Sequence, residues 1–358
     1  MTTDELTRLR LYNQRISHNP LQTPEEVVSW LCAMQAQDYT GAKWSIGLRL
    51  PGMTDTDIED AIARKAIVRT WPMRGTLHFV AADDVRWISK LLTPRIISGA
   101  AGRHRQLELD EYTLSKSHEV LAKALEGGKQ LMRSEVYSTL IDNGISSEGQ
   151  RGIHIINYLA QKQILCHGPH KGKQPTYVLL DEWVPVSKKI DGDEALAELA
   201  LRYFNSHGPA TVHDFIWWSG LKVSDAKKSL DLVANSLEKL EVNGKIFWSN
   251  VNHPNIEAVA SSFLLPGFDE YILGYADRSL ILDAQHANKI VPGNNGMFMP
   301  TIVVNGKVIG LWKRTIKGDQ VSIETLPFAK FSKVNMKSIM AEAKKFSKYL
   351  GKPISNID

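Results

Sequence analysis

Residues 147–180 read SEGQRGIHIINYLAQKQILCHGPHKGKQPTYVLL, and their pattern decides the fold. Ser147 and Gln150 have the spacing of a capping box, and Ile153, Ile156 and Leu159 then follow a helical period. Ile164-Leu165-Cys166 and Tyr177-Val178-Leu179-Leu180 are two apolar strands around a polar tip at 167–175. Upstream, Leu114, His118, Leu121 and Leu125 mark one helix, and Val136 with Leu140 a second that stops at Asn143-Gly144. Two short helices, a third, then a two-stranded wing is the arrangement of a winged helix-turn-helix.

The same order is predicted on either side. Toward the N-terminus, Thr23 caps Glu26 with Pro24 at the first helical position, which predicts a helix through Met34; Thr56 with Glu59 opens another, and strands at 67–71 and 76–80 flank a turn at 72–75. Toward the C-terminus, Leu196, Leu199 and Tyr203 line a helix, 213–218 form a short second, and Ser224 begins a third bearing Leu230, Val233 and Leu237. Its hairpin turns on Asn243-Gly244, a pair suited to the positive φ angles of a type I′ turn. From about Ser262 the pattern becomes a meander of short strands, closed by an amphipathic helix with Ile339, Met340, Phe346 and Leu350 on one side and Lys337, Lys344, Lys345 and Lys348 on the other. The predicted fold is α+β: winged-helix units at 1–110, 111–190 and 191–260, then a small β-barrel-like domain with a terminal helix at 261–358.

Composition bounds the function. The 358 residues suit more than one domain, and 43% apolar with 23% charged residues is ordinary globular protein. No run of 18 apolar residues and no apolar leader follows the acidic start, so neither a membrane nor a secretory route is expected, and the cytoplasm is. Two distant cysteines, Cys32 and Cys166, fit buried thiols in a reducing compartment. A net charge of only +4 means that binding an acidic polymer requires local clusters of basic residues.

Val28, Cys32 and Gln35 follow i, i+4, i+7, so an amide stands where a leucine belongs on an apolar stripe. In a continuous helix Gln35 and Gln37 point about 200° apart; both address one site only if the helix loosens, and Asp38-Tyr39-Thr40-Gly41 reads as such an ending. The tripeptide alone equally fits one buried, satisfied amide and one exposed.

Three ordered motifs then stand together: Cys32-Ala33-Met34-Gln35-Ala36-Gln37, Arg69-Thr70-Trp71-Pro72-Met73-Arg74-Gly75-Thr76-Leu77-His78, and the stretch from Leu264 through Pro266-Gly267-Phe268-Asp269-Glu270 to Arg278. With them the chain resembles the AlkZ/YcaQ-type bacterial DNA glycosylases over roughly its first 325 residues. The resemblance implies tandem winged helices with a C-terminal β-barrel in a C-shaped, DNA-embracing body. It also implies catalysis by the Gln-x-Gln pair, here Gln35 and Gln37, in the branch that excises alkylated purines and unhooks interstrand crosslinks during base excision repair.

The chemistry is consistent with that resemblance under one condition. A carboxamide is no base, so Gln35 and Gln37 can only hold a water and aim it at the sugar C1′. Such modest help suffices where the base already carries positive charge, which points to an N7-alkylated purine in double-stranded DNA. Asp38 is either electrostatic support for the departing sugar or a turn residue, and Lys43 either an amine nucleophile or an exposed loop lysine. Arg69, Trp71 and Arg74 surround the first wing's turn, positioned either to meet phosphate and wedge the base stack or to pack a core. Arg103 and Arg105, Arg151 at the start of the second unit's third helix, and His170, Lys171 and Lys173 at its wing tip are further candidate DNA contacts. Cys166, His167 and His170 lack an evident fourth ligand, so no metal is expected, nor any other cofactor. Asp269 and Glu270, with Asp277 and Arg278, read as structural ion pairs. No phosphate-binding Gly-rich loop, His-Glu-x-x-His or Gly-x-Ser-x-Gly is present. A non-catalytic winged-helix regulator is the competing reading; no leucine-rich dimerising helix stands out, and a monomer is expected.

Overall fold

In the computed structural model, residues 1–251 and 261–357 are described. The chain divides into two units, one built from 1–58 with 196–358 and the other from 59–195.

In the second unit, strands Ile67–Met73 and Thr76–Ala81 form one antiparallel hairpin and Leu165–Lys171 with Gln174–Leu179 another. The two wings are not independent. Ile67–Met73 pairs with Leu165–Lys171 through Arg69 opposite His167, and the short strand Leu131–Met132 pairs with Gln174–Leu179, so one sheet results. Strand pairing also runs further than the apolar residues alone indicate. The expected tip at 167–175 is mostly strand, with Gly172 and Lys173 left as the turn. Helices Glu111–Leu125, Arg133–Asp142 and Arg151–Gln161 appear in the expected order and close on the sheet through Leu121, Leu125, Val136, Leu140, Ile155, Ile156, Leu159 and Tyr177. The third of them begins at Arg151 without a side-chain cap, in place of the expected Ser147 and Gln150 box. Arg103, His104 and Arg105 belong to the last turn of the long helix Val85–Gln106.

In the first unit, Thr2 and Glu5 cap Thr3–Asn13 reciprocally, and Thr23 and Glu26 do the same for Pro24–Trp30. Helix Asp55–Ala63 starts earlier than expected, because Thr54 and Asp57, not Thr56 and Glu59, exchange the capping hydrogen bonds. Helices Gly192–His207, Val212–Ser219 and Val223–Val233 precede the hairpin Glu238–Val242 and Lys245–Ser249, whose turn places Asn243 at φ +52° and Gly244 at +72°.

The C-terminal strands form an open sheet among the described residues, ordered from Ile354–Ile357 through Gln320–Pro327, Lys307–Lys317 and Thr301–Val304 to Ser262–Leu265. It does not close into a barrel. Helix Lys333–Leu350 takes up the sheet's apolar surface instead, burying Ile339, Ala343, Phe346 and Tyr349, with Trp312 edge-on to Phe346. Met340, expected on that inner stripe, is exposed. Among the described residues no helix is long and apolar enough to cross a membrane.

Two buried histidines in the second unit make its stability pH-dependent. His78 faces the Thr76 carbonyl with Nδ1 and the Arg74 guanidinium with Nε2, so its neutral tautomer is the one the surroundings fit. Burial, then the Arg74 charge, pushes its pKa well below the ordinary histidine value; burial, then Arg69, does the same to His167. Above about pH 6.5 both histidines are neutral whether the chain is folded or not, and they impose no penalty. Below it the unfolded chain binds the protons that the folded one refuses, so stability falls with pH. The thermal midpoint of this unit is expected to drop steadily from pH 7 to pH 5, with a shallower slope in His78→Gln. A midpoint independent of pH over that range contradicts the assignment.

Candidate active site

Helix Pro24–Trp30 ends early for a backbone reason. Cys32 lies at φ +68°, a left-handed conformation that interrupts the hydrogen-bond ladder, and Met34–Gln35 continue as extended strand. The expected helix through Met34, and with it the stripe of Val28, Cys32 and Gln35, does not form. This geometry reverses the consequence for the two amides. In extended chain, residues i and i+2 share a face, so Gln35 and Gln37 point the same way. Gln35 Nε2 donates to Gln37 Oε1 at 2.6 Å; Gln35 is buried and Gln37 exposed.

Each end of this segment is held from a different direction. Behind it, Glu270 Oε1 accepts the Gln35 backbone N–H at 3.4 Å, while Glu270 Oε2 accepts from Trp218 Nε1 at 2.9 Å and faces His207 Nε2 at 3.2 Å. Glu270 opens the short buried helix Glu270–Leu273. After it, Asp38 caps helix Tyr39–Gly47 by accepting the Gly41 N–H at 3.1 Å, and Arg314 Nη2 reaches both Asp38 oxygens at 2.7 Å. Gly41 is required here, since a Cβ would collide with the Asp38 carboxylate. Asp38 is thus a cap with its charge balanced by Arg314, a partner on strand Lys307–Lys317.

A third carboxylate completes the frame. Asp269 is paired with Arg49 at 2.8 Å, both completely buried, and also accepts from Ser45 Oγ at 2.6 Å and the Tyr271 N–H at 3.0 Å. Burial alone raises its pKa, but the Arg49 guanidinium with these hydrogen bonds outweighs that and holds the carboxyl below its usual range. Arg49 also donates to the Gln14 and Ser45 carbonyls, and Gln14 Nε2 reaches the Glu270 carbonyl, so the two acidic residues share one polar core. The structural ion pairing expected of this acidic segment is present: Asp277 pairs with Lys245 at 2.6 Å. What sequence reasoning missed is that Glu270 supports Gln35, and that His207, Trp218, Arg49 and Arg314 complete the frame.

The remaining candidates fare differently. Lys43, expected exposed on a loop or acting as a nucleophile, is buried within helix Tyr39–Gly47 and paired with Asp55 at 2.7 Å. Arg69 and Trp71 do not face a groove: both are buried in the second unit, Arg69 beside His167 and Trp71 in the apolar cluster with Leu114 and Tyr177. Arg74 is half-buried against His78. Arg151, half-buried, donates to the carbonyls of Leu107, Glu108 and Ser146, fastening a turn where a phosphate contact was expected. Arg103, Arg105, Lys171 and Lys173 are exposed, Arg103 bonded to Gln150 and Lys171 to the Gln130 carbonyl; His170 is half-buried. Cys166 is a buried free thiol whose pKa burial pushes up, and no group of three metal-ligating side chains occurs among the described residues.

The α+β scaffold has counterparts in known proteins. The family model of the AlkZ-like DNA glycosylases matches residues 28–349, and the chain belongs to that family, enzymes that hydrolyse N-glycosyl bonds. It is 26% identical over 362 residues to an interstrand DNA cross-link repair glycosylase of Streptomyces sahachiroi, covering 93% of this chain and 92% of the relative. The solved structure of the S. sahachiroi DNA glycosylase AlkZ superposes with a TM-score of 0.81 at 22% identity over 99% of both chains, the same fold.

The Arg49–Asp269 pair gives a direct test of the frame. Removing one partner of a buried pair leaves an uncompensated charge, so Arg49→Met is expected to cost about 3–5 kcal/mol in urea unfolding. Asp269→Asn added to it is expected to recover part of the loss. Since the folded Asp269 pKa is depressed, its contribution is complete above about pH 4 and is lost as pH falls through the folded value.

Proposed function

We propose that this chain is a monofunctional DNA glycosylase that removes N7-alkylated, cationic purines from double-stranded DNA. The observation that carries the reading is the hydrogen bond between Gln35 and Gln37, which joins a buried amide of the rigid frame to an exposed one. An amide oxygen accepts two hydrogen bonds. Gln37 Oε1 takes one from Gln35, and its second lone pair can accept a proton of a bound water, turning that water's own lone pair toward C1′. The water oxygen then bonds to C1′ as the N-glycosidic bond breaks. The bond's electron pair goes to the purine, cancelling its positive charge, and the water's proton is released to solvent, leaving free base and an abasic site.

Substrate range follows from acid–base strength. Asp38, Asp269 and Glu270 are each engaged with a cation or with fixed donors. The amides supply orientation and no basicity, so the leaving group must already be activated. Asp38 serves chiefly as an anchor, adding to the field at the departing sugar only what Arg314 leaves unbalanced. The name of the S. sahachiroi relative extends the reading to unhooking of interstrand crosslinks. We place the protein in the cytoplasm, on the nucleoid when bound, with the three helix-and-hairpin repeats acting as winged helices along the duplex. Arg103, Arg105, Lys171 and Lys173 are exposed cations of the second unit that can meet phosphate.

Release of 7-methylguanine from a methylated duplex, followed by liquid chromatography, tests the proposal. Gln37→Ala is expected to slow release by about ten- to a hundredfold, the scale of misplacing a reactant. Asp38→Asn keeps the capping oxygen, removes the charge, and is expected to lose less. Release by Gln37→Ala at the wild-type rate would falsify the assignment.

A further inference from the structure

We propose that the outer face of the terminal helix Lys333–Leu350 is a phosphate-binding surface for the DNA duplex, a proposal that rests on DNA being the substrate. The helix cannot rotate. Its inner face is locked by Phe346 and Tyr349, each with its ring centroid 5.0 Å from Trp44, and by Ile339 and Ala343 in the interior. At about 100° per residue, Lys333, Lys337, Lys344 and Lys348 then fall within a sector of about 60°. All four are exposed, and among the described residues none of them is in an ion pair. With a rise of about 1.5 Å per residue the row is about 22 Å long, or roughly six base-pair steps of a duplex.

The charge pattern distinguishes this face from an ordinary solvated one. A surface helix is normally laced with Glu–Lys pairs at i, i+4, whereas the single acid here, Glu342, is engaged with Lys345 at 2.6 Å on another side. Lys333 with Lys337, and Lys344 with Lys348, are instead like-charge i, i+4 pairs, which weaken a helix. Among the described residues no carboxylate is paired with any of these four lysines, so the fold retains that repulsion. A polymer with regularly spaced negative charges supplies the opposing charge. Position agrees: Trp44 belongs to helix Tyr39–Gly47, which begins directly after Gln37 and Asp38, so the lysine row rides on the immediate neighbour of the catalytic segment.

Binding of the full chain to an undamaged fluorescent duplex, read by anisotropy across a salt series, tests this without depending on base release. The variant carries Lys333→Gln, Lys337→Gln, Lys344→Gln and Lys348→Gln, which keep helix propensity; circular dichroism checks that the fold is intact. Every phosphate that the protein no longer neutralises takes about 0.9 off the slope of log K against log salt. The slope is therefore expected to become shallower by roughly three, with affinity at about 0.1 M salt at least tenfold weaker. A charge-matched control with glutamine at the exposed Lys65, Lys123, Lys162 and Lys189, none of them assigned to DNA contact, is expected to shift the slope by less than about one. An unchanged slope in the first variant, or an equal change in the control, overturns the proposal and leaves an anionic membrane or an acidic protein as the partner to seek. Loss of base release in Gln37→Ala with normal binding bears on the catalytic reading alone.

Discussion

A buried carboxylate held from several sides at once is a fixed point, and Glu270 is one. Its two oxygens receive Trp218 from one helix, the Gln35 backbone from a strand and face His207 from another helix, while its own carbonyl accepts from Gln14 on the N-terminal helix. Removing Trp218 or His207 leaves a buried carboxylate oxygen short of a partner, and removing Gln14 takes a donor from the backbone carbonyl; each change has a desolvation cost that favours keeping the set together. Segments more than two hundred residues apart in sequence are thereby fixed around the backbone of Gln35. The ring stack of Tyr203 on His207, with centroids 4.7 Å apart, extends the same constraint into helix Gly192–His207.

Local signals in the sequence are reliable where the physics is local. The type I′ turn at Asn243-Gly244 and the capping box at Thr23 and Glu26 depend on residues within four positions of each other, and both form as read. The Ser147 and Gln150 box fails because Gly149, at φ +59°, takes the chain out of helical geometry between them. Helix Pro24–Trp30 fails at its end for a comparable reason, since the left-handed conformation of Cys32 has no side-chain signature; Gly or Asn there would have announced it. From periodicity alone the site is legible only at Gln35, as an amide on an apolar stripe, and the family resemblance is what joins Gln37 to it. Its frame was not legible, because Arg314 and Glu270 reach the motif through contacts 276 and 235 residues apart.

Burial redistributes the basic residues in a way that composition conceals. Arg49, Lys43 and Arg69 all count toward the net charge of +4 yet sit inside, the first two neutralised by Asp269 and Asp55. Arg151 is consumed by backbone carbonyls. Any surface meant for an anion must therefore be built from what remains outside, and the cations on the terminal helix and at the Gly172 and Lys173 turn are of that kind.

Neutral amides and engaged carboxylates are two sides of one arrangement. Asp38 follows Gln37 directly, and left alone it would be the nearest base to a water held there. Arg314 and the Gly41 N–H occupy it instead, and the helix it caps depends on that occupation. Both oxygens of this carboxylate are already engaged by Arg314, one of them also by the Gly41 N–H, so its place in the fold is that of a structural anchor. On the proposed reading this confines the enzyme to leaving groups that carry their own activation, and it protects ordinary purines, whose departure needs a proton transfer that the site does not offer. Selectivity for damage then requires no recognition of the lesion's shape and follows from the weakness of the catalyst itself.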